Sequence, residues 1–228
     1  MINFKRPQFI TFEGGEGSGK STQSKMLHEY LLSKSIKSIH TREVGGTVEA
    51  EKIRHLLVYS ELLPMSELML VMAARYEHIN KVIIPGLLDG SWVICDRFVD
   101  STACYQSGSS GLTLDDIYEL HEKLMTVSYD NEAENISHPQ IDIHEYDARG
   151  IMPDLTFFMD IPPEIGLKRA GIRGDANKFE EKNVAFHKEV YARFKSIKTR
   201  DKNRFLSIES VDKTIDEIHQ DILNKVFG

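Results

Sequence analysis

The sequence predicts an α/β fold, a three-layer sandwich with a central parallel sheet and helices on both faces. Three observations carry this. Short apolar runs alternate with longer stretches of helical periodicity. The runs are apolar throughout, as strands covered on both faces must be. Gly14, Asp96 and Asp160 end three of them, and those positions fall at the carboxyl ends of the strands, where such sheets bind ligands.

Residues 9–12 are the first strand, which stops at Gly14-Gly15. Residues 20–34 follow as a helix, with Met26, Leu27, Tyr30 and Leu31 at helical spacing. A short second strand is predicted over 36–40, and a long, largely apolar helix over 66–88, which Pro85 is expected to bend or end. Strands over 92–95 and 155–159 close on Asp96 and Asp160. Pro162 and Pro163 suit the first turn of a further helix. A last strand covers 205–208, and an amphipathic helix 211–226. Residues 126–150 break the pattern with Asp130, Glu132, Glu134, Asp142, Glu145 and Asp147, and read as a flexible acidic insertion.

The 228 residues suit a single domain. A net charge of −7 excludes bulk attraction to nucleic acid or anionic lipid, so any anionic ligand must be held by local cations. Cys95 and Cys104 lack zinc-ligand spacing and suggest a reducing compartment. The first residues carry no apolar signal region and no run approaches the ~20 residues of a membrane span, so a cytoplasmic location is expected.

Gly14-Gly15-Glu16-Gly17-Ser18-Gly19-Lys20-Ser21 fits G-x-x-x-x-G-K-[ST] in full, between a strand and a helix as the motif requires. The fold is therefore a P-loop sandwich. Glycines let backbone N–H groups turn inward around a phosphate, and the helix N-terminus adds partial positive charge. Gly14, Gly15, Gly17, Ser18, Gly19 and Thr22 complete the nucleotide cradle, Lys20 reaches the β- and γ-phosphates, and the Ser21 hydroxyl is a Mg²⁺ ligand.

The loop alone leaves kinases, GTPase switches and ATP-driven machines open. Asp147-Ala148-Arg149-Gly150 matches the D-x-x-G of GTPases, but no strand precedes it and no N-K-x-D occurs. Arg97, not Glu, follows Asp96, which argues against an ATP-driven machine. Asp96 suits the Mg²⁺ shell, and Arg97 beside it can fork onto phosphate oxygens.

At this point the chain resembles a family. Phe12-Glu13-Gly14-Gly15-Glu16, Thr41-Arg42-Glu43-Val44-Gly45-Gly46-Thr47 and Ala50-Glu51-Lys52-Ile53-Arg54 resemble blocks of bacterial thymidylate kinases. Ala73-Ala74-Arg75, Asp96-Arg97-Phe98, Ser101-Thr102, Tyr105-Gln106, Pro153-Asp154-Leu155-Thr156 and Gly166-Leu167-Lys168-Arg169-Ala170 do so in the same order. The resemblance implies transfer of the γ-phosphoryl of ATP to dTMP, with Mg²⁺, in a homodimer. It implies that Glu16 holds the sugar 3′-hydroxyl, Arg54 and Arg97 the acceptor phosphate, and Arg75 the thymine carbonyl. Ser101, Thr102 and Gln106 would bind the substrate around its base, while Tyr105 crowds the 2′ position. Residues 169–182 would form a lid, with Arg169 at the cofactor and Arg173 on the transferring charge. Gly17 after Glu16 places the chain with the bacterial branch, whose catalytic arginine is in the lid.

Three positions depart from the family pattern. Val44 replaces a proline, loosening one turn; Val71 replaces the aromatic residue that stacks on thymine; and Ser110 replaces an arginine. Another nucleoside monophosphate kinase, or a P-loop binding module without turnover, remains the alternative.

Overall fold

The computed structural model describes residues 7–125, 151–173, 178–179 and 182–228. The acidic insertion, its D-x-x-G match and lid positions 174–177, 180 and 181 lie outside the described residues, as does the side chain of Arg173.

Five parallel strands form the sheet, in the order β2-β3-β1-β4-β5. They are β1 (Phe9–Glu13), β2 (Ser38–Arg42), β3 (Trp92–Asp96), β4 (Leu155–Asp160) and β5 (Phe205–Glu209). The helices are α1 (Lys20–Ser33), α2 (Val48–Tyr59), α3 (Pro64–His78), α4 (Ile84–Leu88), α5 (Val99–Gln106), α6 (Leu114–Leu124), α7 (Pro163–Arg173), α8 (Val184–Arg200) and α9 (Ile215–Phe227). Strand side chains alternate between two cores. Phe9, Val93, Cys95, Phe158 and Phe205 pack under α3, α4, α5, α6 and α8. Ile10, Phe12, Trp92, Ile94, Phe157 and Met159 meet Leu27 and Leu31 of α1 and Ile218, Ile222 and Val226 of α9. This two-sided burial is why the central strands β1, β3 and β4 are largely apolar, whereas the edge strands β2 and β5 carry polar residues.

Two expected boundaries move, each for a local reason. β2 starts at Ser38, because the Ile36 N–H is spent on the Leu31 carbonyl (3.0 Å), closing α1 through Ser35 at φ 58°. The last helix starts at Ile215, not 211: Thr214 accepts from the Glu217 N–H, and the Glu217 carboxylate accepts from the Thr214 N–H at 2.8 Å. Pro85 does not end the long helix. A π-helical turn, Ile79–Ile83, precedes it and carries the chain on into α4, so the missing proline N–H is absorbed in the irregular register.

Both cysteines are free and buried. Among the described residues, no helix is long and apolar enough to cross a membrane. The buried Asp100 carboxylate of α5 is gripped by both Nη atoms of Arg204, at 2.7 and 2.9 Å, which docks the start of β5 against α5.

One contact couples the fold to the phosphate loop. A Cβ on Gly166 of α7 would lie 2.3 Å from the Glu16 carbonyl, and one on Gly17 would lie 2.0 Å from the Gly166 carbonyl. Loop and helix therefore touch backbone to backbone, and no side chain fits at either position. An alanine in a helix interior is ordinarily ~1 kcal/mol better than glycine. Here overpacking wins: Gly166→Ala is expected to cost about 1–3 kcal/mol in urea denaturation. A neutral or stabilising result would show that α7 and the loop separate freely.

Candidate active site

β1 ends in the phosphate loop, and α1 begins at Lys20. Gly14, Gly17 and Gly19 have φ of 138°, 64° and 93°, in the region that favours glycine. The α1 N-terminus has neither a side-chain cap nor an acidic first-turn residue, so its partial positive charge remains for an anion. Lys20 Nζ donates to the Gly15 carbonyl (2.6 Å) and to Ser18 Oγ (3.2 Å). Burial, and then the neighbouring Arg97 cation, lower its ammonium to about 8. Ser18 is buried, whereas Ser21 and Thr22 are exposed on the first turn of α1.

Asp96 ends β3 directly opposite Phe12 of β1, which brings it beside the loop. The Ser21 hydroxyl donates to Asp96 Oδ2, while the buried Oδ1 has no hydrogen-bond partner among the described residues. Two hard oxygen donors, one of them uncommitted, fit Mg²⁺, which takes few protein ligands and completes its shell with phosphate and water.

Arg97 joins the two halves of the site. It adopts φ 73°, a left-handed conformation that a non-glycine residue reaches only when its surroundings enforce it. Nη1 donates to the Gly14 carbonyl (3.0 Å) and Ser101 Oγ (3.1 Å), and Nη2 to Glu16 Oε1 (2.7 Å). Its guanidinium lies 5.2 Å from the Tyr105 ring centroid. Tyr105 also donates its hydroxyl to Glu16 at 2.9 Å. Burial alone would raise the Glu16 carboxyl, but Arg97 and Lys20 outweigh it and hold the group at about 2. Glu16 is thus an anion at any working pH.

Beyond Arg97 opens a cavity with about 700 Å³ of empty space, counting space open to solvent. Glu16, Arg54, Val71, Arg75, Arg97, Ser101, Thr102, Tyr105 and Gln106 all line it, drawn from the loop, α2, α3 and α5. Arg75 is only 1% exposed. It donates to Glu43 (2.7 Å) and Thr102 Oγ1 (2.6 Å) and stacks 5.0 Å above Phe98. Glu43 is braced in turn by His78 Nδ1 at 3.0 Å, whose Nε2 faces Thr41 Oγ1 at 2.7 Å. Burial would raise the Glu43 carboxyl, yet Arg75 and His78 lower it. Arg54 donates to the Val44 carbonyl at 3.2 Å.

One expected site residue, Arg169, stands apart from this cavity. Arg169 is exposed on α7, 3.4 Å from the Ser210 carbonyl. The backbone of Arg173 ends α7. Of the departures, Ser110 donates to the Gln106 carbonyl at 2.7 Å and does not line the cavity. Val44 does line it, and the Glu43–Val44 peptide bond is cis.

Reading the residues alone missed Glu43, Phe98 and Phe179 as wall residues. Glu43 and Phe98 stood inside quoted motifs, but their pairing with Arg75 is long-range and leaves no local signal. Phe179 lies edge-on to Tyr105, centroids 6.2 Å apart. Its neighbour Lys178 reaches Glu67 of α3 and, at 3.0 Å, the Ser60 carbonyl. An aromatic residue in a polar run offered nothing to mark it.

The family model described as thymidylate kinase matches residues 12–130 and 126–222. Curated thymidylate kinases of Rickettsia africae and Rickettsia bellii are 46% and 44% identical over 220 residues, covering 96% of this chain and 97% and 96% of those proteins. The crystal structure of thymidylate kinase from Ehrlichia chaffeensis superposes with a TM-score of 0.67 at 30% identity, covering 97% of this chain and 98% of that one. A P-loop joined through Arg97 to a cavity that gathers the family's motif residues, and these matches along nearly the whole chain, lead to one conclusion: the chain belongs to the thymidylate kinase family.

Proposed function

We propose that the chain transfers the γ-phosphoryl of ATP to dTMP, giving ADP and dTDP. The observation that carries this is the Arg97 bridge: one guanidinium touches both the phosphate loop and the wall of the second cavity. An acceptor phosphate held there faces a donor phosphate held by the loop, so positioning supplies much of the rate. The phosphate monoester of dTMP is largely ionised near neutral pH and needs no strong general base.

The proposed roles combine the family resemblance with the contacts of each residue. Lys20 exchanges its contacts with Gly15 and Ser18 for the β- and γ-phosphates. Arg97 and Arg54 bind the acceptor phosphate, the ionised Glu16 accepts from the sugar 3′-hydroxyl, and Tyr105 fills the space a 2′-hydroxyl would need. Arg75, fixed by Glu43, points its remaining donors at the base, with Thr102 and Gln106 beside it and Val71 and Phe179 as apolar walls. Arg169 serves the triphosphate from α7, and the role of Arg173 on the transferring charge rests on the family resemblance. Mg²⁺ would be held by Ser21 and Asp96, and when bound it neutralises charge on the phosphates.

A homodimer is part of this reading, supported by Leu56, Tyr59, Leu63 and Met69 exposed together on α2, α3 and their link; Tyr59 is 75% and Leu63 76% exposed. A cytoplasmic location is supported by the two free buried cysteines.

Three measurements test the proposal. With ATP and Mg²⁺, ADP formation is expected with dTMP far above any other nucleoside monophosphate; equal turnover of another would retain the kinase and remove the thymine preference. Lys20 keeps its charge below about 8 and loses it above, so kcat/KM for ATP is expected to fall about tenfold per pH unit above pH 8. A flat profile to pH 9.5 would show that this amine does not titrate in the free enzyme. Light scattering is expected to give twice the 26.0 kDa chain mass, and Tyr59→Asp with Leu63→Asp to halve it. An unchanged mass in that variant would place the contact elsewhere.

A further inference from the structure

Glu13 does not itself line the cavity and has no part in the reaction as described, yet it is a fully buried carboxyl at the end of the central strand. Its surroundings are unusual for so costly a group. Oε1 accepts from the Phe98 N–H at 2.7 Å, and Oε2 accepts from the Ser101 hydroxyl. Phe98 immediately follows Arg97 in the chain, and Ser101 Oγ is one of the three atoms to which the Arg97 guanidinium donates. The next residue along β1, Gly14, supplies another of those atoms through its carbonyl. Glu13 therefore restrains Arg97 from both ends, its backbone through the adjacent amide and its side chain through the serine.

We infer that Glu13 is a positioning residue for acceptor-phosphate binding, holding Arg97 in its left-handed conformation and its guanidinium at the junction between loop and cavity. The inference rests on the proposed role of Arg97. Other ways of filling the space are inferior. A carboxyl meets both partners, accepting from the Phe98 N–H through Oε1 and sharing a hydrogen with Ser101 Oγ through Oε2, whereas an apolar side chain of similar size meets neither. The burden of burying an acid is visible: burial first, then the nearby Asp100 carboxylate, push Glu13 up to about 8, while Ser101, Arg97 and Phe98 pull it down. A merely space-filling residue at the end of β1 carries no reason to accept that burden.

The test is a double-mutant cycle in which KM for dTMP, KM for ATP and kcat are measured separately. Glu13→Leu is expected to raise KM for dTMP about tenfold and to leave KM for ATP within about twofold, the size expected when buried hydrogen bonds are lost. In an Arg97→Lys background the same substitution is expected to change KM for dTMP less than about twofold, because the group it positions is gone. Ser101→Ala, which cuts the link to Arg97 and leaves the Glu13–Phe98 bond, is expected to show the same pattern. It also carries the test alone if Glu13→Leu does not fold, as judged by circular dichroism. An equal effect in both backgrounds, an equal rise in both KM values, or no effect in a folded variant would overturn the inference. The wild-type enzyme itself tests the dTMP reading: failure there strikes the function, and failure only in the cycle strikes Glu13.

Discussion

The ion pair between Arg97 and Glu16, 2.7 Å apart, joins the two halves of this protein's chemistry. Glu16 lies within the phosphate loop and Arg97 follows β3, so the pair spans adjacent central strands at their carboxyl ends. Around it the loop keeps its register, because the same guanidinium also holds the Gly14 carbonyl. The cavity takes its near wall from it, because Tyr105 stacks on the cation and donates to the anion. Breaking either charge would leave the other half-buried without its closest counter-ion, which is a costly outcome for such pairs.

An acidic protein handles anions here by concentrating cations where water is scarce. The net charge is −7, but Arg54, Arg75 and Arg97 line one cavity and Lys20 lies in the phosphate loop beside Arg97. Each is braced by a carboxylate or a carbonyl, so it is positioned before any ligand arrives and loses little freedom on binding. Burial makes this arrangement sensitive. Lys20 sits close to the point of losing its proton, while Glu16, compensated by two cations, stays ionised. Removing charge from one member shifts its neighbours, because they share a low-dielectric space.

The departures from the family pattern are local and the scaffold absorbs them. Val71 contributes an aliphatic wall where an aromatic was expected, and Phe179 brings an aromatic ring to the same cavity from a distant part of the chain. Lys178 holds that stretch to α3 by pairing with Glu67, one helical turn before Val71. Ser110 serves the end of α5 by bonding the Gln106 carbonyl. Gly17 has a structural cause as well as a family one: the Gly166 carbonyl occupies the space of any side chain.

The sequence by itself determined the sheet, its parallel sense and the phosphate loop, while the family resemblance pointed to Arg54, Arg75 and Arg97 of the second cavity. The first three are legible because they rest on local rules. Largely apolar runs mark strands buried on both faces, and a glycine-rich strand–helix turn with Lys20 and Ser21 follows a fixed spacing. Boundaries were less legible where a cap decided them, as at Ile36 and Thr214. Only the tertiary structure decided what each charged side chain faces. Glu43 meets Arg75, Glu13 meets Phe98 and Ser101, and Phe179 meets Tyr105 across long stretches of chain. The physical reason is that such pairings are set by strand order and helix packing, which bring distant residues within hydrogen-bond range and leave no trace in the spacing of either partner.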